Sequence, residues 1–110
     1  MAQAYKVLAQ GSPLVTTDIE LYANPAGTQT VISSLVVSNR STTTALSYRI
    51  AIVPSGETLG DKHYIAFDVP IAAKDVSNLV IGLTLGAGDK VIVRSSTLDS
   101  SFNIFGVQFS

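Results

Sequence analysis

Residues 45–53 read Ala-Leu-Ser-Tyr-Arg-Ile-Ala-Ile-Val. Leu46, Tyr48, Ile50 and Ile52 share one parity; Ser47 and Arg49, then the small Ala51, share the other. Successive side chains of a strand point to opposite faces, so this period of two buries one face and exposes the other. Pro54-Ser55-Gly56 ends the run, because proline cannot donate to a ladder and glycine accepts turn dihedrals. Similar runs recur along the chain, with turn residues about every 8 to 14 positions. That spacing belongs to an all-β sandwich or barrel. The 12 Val and 9 Ile agree, since β-branched side chains suit a pleated surface.

In residues 29–39, Val31, Leu35 and Val37 share a parity with Ser33, and Ile32 and Val36 take the other. Both faces are partly apolar, which predicts a central strand covered on both sides or lying at a subunit interface. Residues 62–68 place His63, Ile65 and Phe67 on one side, expected to face the core, and Tyr64, Ala66 and Asp68 on the other. Residues 79–84 alternate Leu79, Ile81 and Leu83 against Val80, Gly82 and Thr84; Gly82 inside that strand suggests a bulge. Gly86-Ala87-Gly88-Asp89 is a hairpin loop leading into 90–95, with Val91 and Val93 inward. The run 102–109 changes phase. Phe102 and Ile104 share one parity and Phe105, Val107 and Phe109 the other, which predicts a bulge near Phe105–Gly106 or aromatics on both faces. Residues 5–8 and 17–22 complete about eight strands, with no credible helix. The fold class is therefore all-β: an antiparallel β-sandwich, with a jelly roll among the arrangements it allows.

Charged residues are 14% of the chain, against about 25% in a typical domain. Hydroxyls replace them: 13 Ser and 10 Thr. The chain has 7 basic and 8 acidic residues and a net charge of −1, which gives no electrostatic footprint for nucleic acid. Without cysteine, disulfide frameworks and thiolate metal sites are excluded. No stretch approaches the roughly 18 apolar residues of a membrane helix, and no signal peptide is visible. Asn39-Arg40-Ser41 fits the N-glycosylation pattern and is expected to be silent.

Catalytic chemistry finds little to build on. The one histidine, His63, lacks a nucleophile constellation and reads as a satisfied, semi-buried side chain. Asp61, His63 and Asp68 do not converge on one metal by parity, and Asp89 and Asp99 sit in turns where aspartate satisfies its own backbone. Gly86-x-Gly88 joins two strand patterns, so it is not a phosphate loop. No catalytic residue, metal or cofactor is expected. A carbohydrate-binding module for host attachment is the rival reading; it needs a groove with Tyr22, Tyr48 or Tyr64 exposed beside Asp or Asn.

Several stretches, taken together, resemble small bacteriophage virion proteins. They are Leu21-Tyr22-Ala23-Asn24-Pro25-Ala26-Gly27, Ser33-Ser34-Leu35-Val36-Val37-Ser38-Asn39-Arg40, and the run from Asp61 through His63 and Pro70 to Ala73. Leu83-Thr84-Leu85-Gly86-Ala87-Gly88-Asp89 and the ending Ser101-Phe102-Asn103-Ile104-Phe105-Gly106 belong to the same set. Ser38 stands where similar proteins often have cysteine. The resemblance implies a non-enzymatic virion component, described in that family only as structural or tail-associated. It carries over no active-site residue.

The expected protein is an accessory capsid-decoration (cement) or tail-associated part, localised to the virion after assembly in host cytoplasm. It would bind other virion proteins and form a homo-oligomer, a trimer being favoured. Gly11, Ser12 and Pro13 read as a hinge, which divides the chain into an N-terminal arm, 1–13, and a sandwich domain, 14–110. Contacts are expected from the arm, through Tyr5 and Leu8, and from loops 54–61 and 85–90, through Pro54, Glu57, Asp61, Ala87 and Asp89.

Overall fold

The computed structural model describes residues 3–80 and 82–109. It contains nine strands: β1 Gln3–Gly11, β2 Ile19–Ala23, β3 Gln29–Asn39, β4 Leu46–Val53, β5 Tyr64–Ile71, β6 Val76–Leu79, β7 Leu83–Leu85, β8 Lys90–Ser95 and β9 Ser100–Phe109. Among the described residues, a 3-10 turn at Asp61–His63 is the one helical element. All named strand pairs are antiparallel.

The first sheet runs β1-β9-β3-β6, with β7 also on β3; the second runs β2-β8-β4-β5. Both β6 and β7 lie along β3, on Leu35–Ser38 and Thr30–Ile32 respectively, so they act as one interrupted strand. Counted that way, two four-stranded sheets exchange the chain in turn, which is the jelly-roll plan. The expected sandwich is therefore observed.

The core lies between the sheets. Ile32, Leu35 and Val37 of the first sheet meet Tyr48, Ile50, Val91 and Val93 of the second, all essentially inaccessible to water. The Tyr48 and Phe102 rings, one from each sheet, meet edge to face at 6.2 Å and 80°. Such a pair adds about 0.5–1.5 kcal/mol beyond its area burial.

Bulges explain where the structure departs from simple alternation. Opposite β9, one residue is unpaired between Val7 and Ala9 of β1, and another between Ile32 and Ser34 of β3. Thus β3 switches phase at Ser33, which lets Ile32, Leu35 and Val37 all point inward. The expected bulge sits in both neighbours of β9, which itself runs unbroken. Phe102 and Ile104 are buried, while Phe105, Val107 and Phe109 stand half-buried on the opposite face.

Three expectations are corrected. β4 changes phase after Ile50, so Ala51 and Val53 are buried and Ile52 stands half-buried. Residues 79–84 are not one strand: Leu35 faces Leu79 and Ile32 faces Leu83, three steps on β3 against four on its partner. The ladder breaks at that mismatch, and Gly82 falls in the gap; Ile81 lies outside the described residues. Ile65 and Phe67 do not enter the core. Register shifts on β5 between the partners of Tyr48, Ile50 and Ala51 bury Ala66 instead and leave Phe67 53% exposed.

Each end of the sandwich is closed by a buried asparagine. Asn24 donates through Nδ2 to the Thr28 carbonyl at 2.7 Å, and its Oδ1 accepts from Thr30 Oγ1. Asn39 donates through Nδ2 to the carbonyls of Thr44, Ile71 and Ala72 at 2.9, 3.2 and 3.2 Å. The nitrogen that glycosylation would modify is thus committed to the fold.

Candidate functional site

Three loops meet at one end of the sandwich. The β-ladders put Gln3, Phe109 and Gln29 at the same level, and β7 and β8 bring the 86–89 turn to that end. Asp89 stitches the loops together. Its Oδ2 accepts from the Gly86 N–H at 2.8 Å and its Oδ1 from the Ser55 N–H at 2.9 Å. Its carbonyl accepts from the Asn24 N–H at 2.8 Å. Of the expected contact residues, Pro54, Glu57, Asp61 and Ala87 are exposed on these loops, and Asp89 is half-buried as their tie.

Beside Asp61, His63 is 6% exposed and fully engaged. The Gly60 N–H donates to Nδ1 at 2.9 Å, so the proton resides on Nε2, which donates to Glu57 Oε1 at 3.1 Å. This histidine fastens the 54–63 loop. The hydrogen bonds from His63 and then Lys62 hold the Glu57 carboxyl below its usual range. Likewise, the hydrogen bond from Arg49 lowers the Asp68 carboxyl.

Both carboxyls have folded values below their unfolded ones. Their contribution to stability is therefore present above the ordinary carboxylate range and lost as pH falls through the lowered values. The urea midpoint of the wild type is expected to drop between about pH 6 and about pH 3. A Glu57→Gln/Asp68→Asn double variant should drop distinctly less over that interval; an equal drop would assign the acid sensitivity elsewhere.

Tyr5 and Leu8 lie on β1, which pairs with β9 of its own chain from Gln3↔Phe109 to Gly11↔Phe102. Tyr5 is 78% exposed, whereas Leu8, at the bulge, packs against the core. The other edge of β1 has no partner strand among the described residues.

The remaining sheet edges are blunted in ways that discourage pairing. β5 carries register breaks and Pro70; β2 has 5 residues and a break; β6 and β7 have 4 and 3 residues. β1 also carries a break, between Val7 and Ala9, and one charge, Lys6, but it is 9 residues long and has no proline. Beside it spreads an uncharged face. Tyr5 stands level with Val107 and Val31, and Val7 with Phe105 and Ser34. Gln10, Asn103 and Val36 form the next row on that side. Sequence reasoning found Tyr5 but missed this face, which exists only once β1, β9 and β3 are in register.

The groove required for sugar binding through the tyrosines is not assembled. Tyr48 is 1% exposed and belongs to the core. The Tyr22 hydroxyl accepts from Gln108 Nε2 at 2.6 Å and meets Thr30 Oγ1 at 3.1 Å. Tyr64 stands half-buried, edge to face with Phe67 at 5.0 Å. Among the described residues, no three His, Asp or Glu side chains gather as metal ligands would. Asp61 and His63 sit at the loop end, while Asp68 pairs with Arg49 at 2.7 Å.

Fold and topology define a jelly-roll β-sandwich with a long unpaired edge at β1 and a loop-built end. No protein-family model matches the chain, and no curated protein does. Among solved structures, it is similar to a chain of the crystal structure of the T13 IBDV viral particle, at 13% identity and a TM-score of 0.57. The match covers 96% of this chain but 30% of that one. The two share a fold.

Proposed function

We propose that this chain is a non-enzymatic structural component of a virion, acting through contacts between protein surfaces. The observation that carries the reading is the edge of β1, longer than the other edge strands and free of proline, flanked by an uncharged face. A free monomer gains nothing from such an edge, which invites pairing with another chain. The fold shared with a chain of a viral particle supports the same reading.

In this proposal residues 1–13 serve as the interacting arm, with the β1 edge of one copy meeting the next. The favoured assembly is a trimer, whose head-to-tail contacts close into a ring. Loops 54–61 and 85–90 then face another virion protein. In this proposal the chain has an accessory role, decorating a capsid or attached to a tail, because 110 residues are few for a shell-forming subunit.

Sedimentation of the purified protein over a range of concentrations tests the assembly. The wild type is expected to form a discrete oligomer. Val7→Lys adds a charge to the uncharged face beside the open edge, and should shift the protein to monomer with little change in melting temperature. A wild type that stays monomeric at high concentration would overturn the proposal.

A further inference from the structure

Arg49 of β4 and Arg94 of β8 stand directly opposite each other on the outer face of the second sheet. Like charges so placed repel. A cleft of about 200 Å³ opens beside them, with Thr16, Ser47, Asp68 and Ser96 among its walls.

The backbone of that cleft is strained. Among the described residues, three that are not glycine have positive φ: Thr16 at 49°, Asp68 at 52° and Lys74 at 63°. Two of them, Thr16 and Asp68, line this cleft. The left-handed region is costly for a β-branched residue such as threonine, and strain of this kind gathers at functional sites.

The two arginines differ in their commitments. Arg49 donates from Nε to Asp68 Oδ1 at 2.7 Å and from Nη2 to Oδ2 at 3.2 Å, and its Cζ lies 4.0 Å from the Phe67 ring centroid. That side chain is held on two sides. Arg94 forms a looser ion pair, its Nη1 3.7 Å from Asp18 Oδ2, beyond hydrogen-bonding distance. Among the described residues, its guanidinium makes no hydrogen bond. The donors of its planar fork are therefore free of hydrogen bonds, in a cleft whose walls include Ser47 and Ser96.

We propose that this cleft is a carboxylate-binding site, with Arg94 as the fork and Arg49, fixed by Asp68, as the second cation. A guanidinium matches the two oxygens of a carboxylate, which gives shorter and stronger hydrogen bonds than a neutral acceptor does. The volume is below the roughly 300–1,000 Å³ typical of small-molecule pockets, so the site takes an end group and not a whole cofactor. The occupant is an Asp or Glu side chain of a neighbouring protein chain, a step that rests on the virion-component reading. The bound acid would lie between the opposed arginines, exchanging the loose Arg94–Asp18 contact for a two-pronged one.

The test follows the arginine Nε–Hε resonances of the full chain by NMR. The probe is N-acetyl-glutamate α-amide, which has one carboxylate; the matching glutamine compound at equal ionic strength is the control. A saturable shift at Arg94 is expected with the acid and none with the control. Arg94→Gln should weaken binding by about tenfold or more, with an unchanged melting temperature. Arg94→Lys, which keeps the charge and loses the fork, should fall between. No saturable shift, or equal binding by Arg94→Gln, would overturn the site. In a separate titration with N-acetylneuraminic acid, a response to that sugar acid and none to the capped glutamate would overturn the assignment to a protein neighbour. Sedimentation reads assembly independently: a monomer that still binds the capped glutamate keeps the cleft and loses the oligomer.

Discussion

Gly106→Ala is expected to lower stability by about 3 kcal/mol or more, at the upper end of overpacking costs in a core. Gly106 lies on the buried face of β9, the strand shared by β1 and β3. A Cβ there would overlap the Val31 carbonyl oxygen, and would come within 3.0 Å of Ile32 Cα and 3.1 Å of Leu8 Cδ1. Backbone forms most of that contact, so no rotamer change can yield the space. The bulges opposite β9 fall on successive steps, between Ile32 and Ser34 at Gly106–Phe105 and between Val7 and Ala9 at Phe105–Ile104. The missing side chain is what lets two bulged strands close on one straight strand. For a domain of this size the melting temperature should fall by more than about 10 °C. Gly82→Ala is the control, since nothing lies within 4 Å of a Cβ there. Equal melting temperatures for wild type and Gly106→Ala would show that the sheet can shift to admit a methyl group.

The same residue shows how far local pattern reaches. The phase change after Ile104 pointed to a bulge near Gly106, but the extra residues belong to β1 and β3, where no local signal marks them. A bulge is a mismatch between two strands, so one strand read alone cannot say which partner carries it. β5 failed for the same reason: its alternation put Ile65 and Phe67 inward, and its pairing with β4 turned them out. Where a strand runs without a bulge the pattern suffices: residues 90–95 match β8 at both ends, with Val91 and Val93 buried as their alternation predicts.

The surfaces divide similarly. Turn residues marked Pro54, Glu57, Ala87 and Asp89 as loop positions, but their meeting at one end is a product of jelly-roll connectivity. Arg49 and Arg94 could each be read as outward-facing from Tyr48, Ile50 and Val93 beside them. That they face each other depends on the β4–β8 register. The low charge of the chain was legible from the start. The structure adds that much of it reflects the uncharged face across β1, β9 and β3.

Asn39→Ala is expected to cost about 3 kcal/mol, because it leaves several buried carbonyls without a donor. Asn39 ends β3 in the first sheet, and its Nδ2 reaches the carbonyl of Ile71, the last residue of β5 in the second. The same group holds Thr44 and Ala72, while Oδ1 accepts from the Ser41 N–H at 3.0 Å. One side chain thus links both sheets and two loops, in a site that is 3% exposed. Asn39→Asp separates this donor role from packing. It keeps the shape and the acceptor for Ser41, but turns a carboxylate oxygen toward carbonyl oxygens. Burial and that repulsion raise the folded pKa of the introduced carboxyl above its unfolded value. The folded state then binds the proton more tightly, so the destabilisation is greatest at neutral pH and shrinks as the solution is acidified. Glu57 and Asp68, whose values are lowered, titrate alike in both proteins and cancel from the difference. The stability gap between wild type and Asn39→Asp should accordingly narrow from about pH 7 to about pH 4 in urea unfolding. A gap that stays constant would mean that the Nδ2 hydrogen bonds contribute nothing a shape-matched oxygen does not.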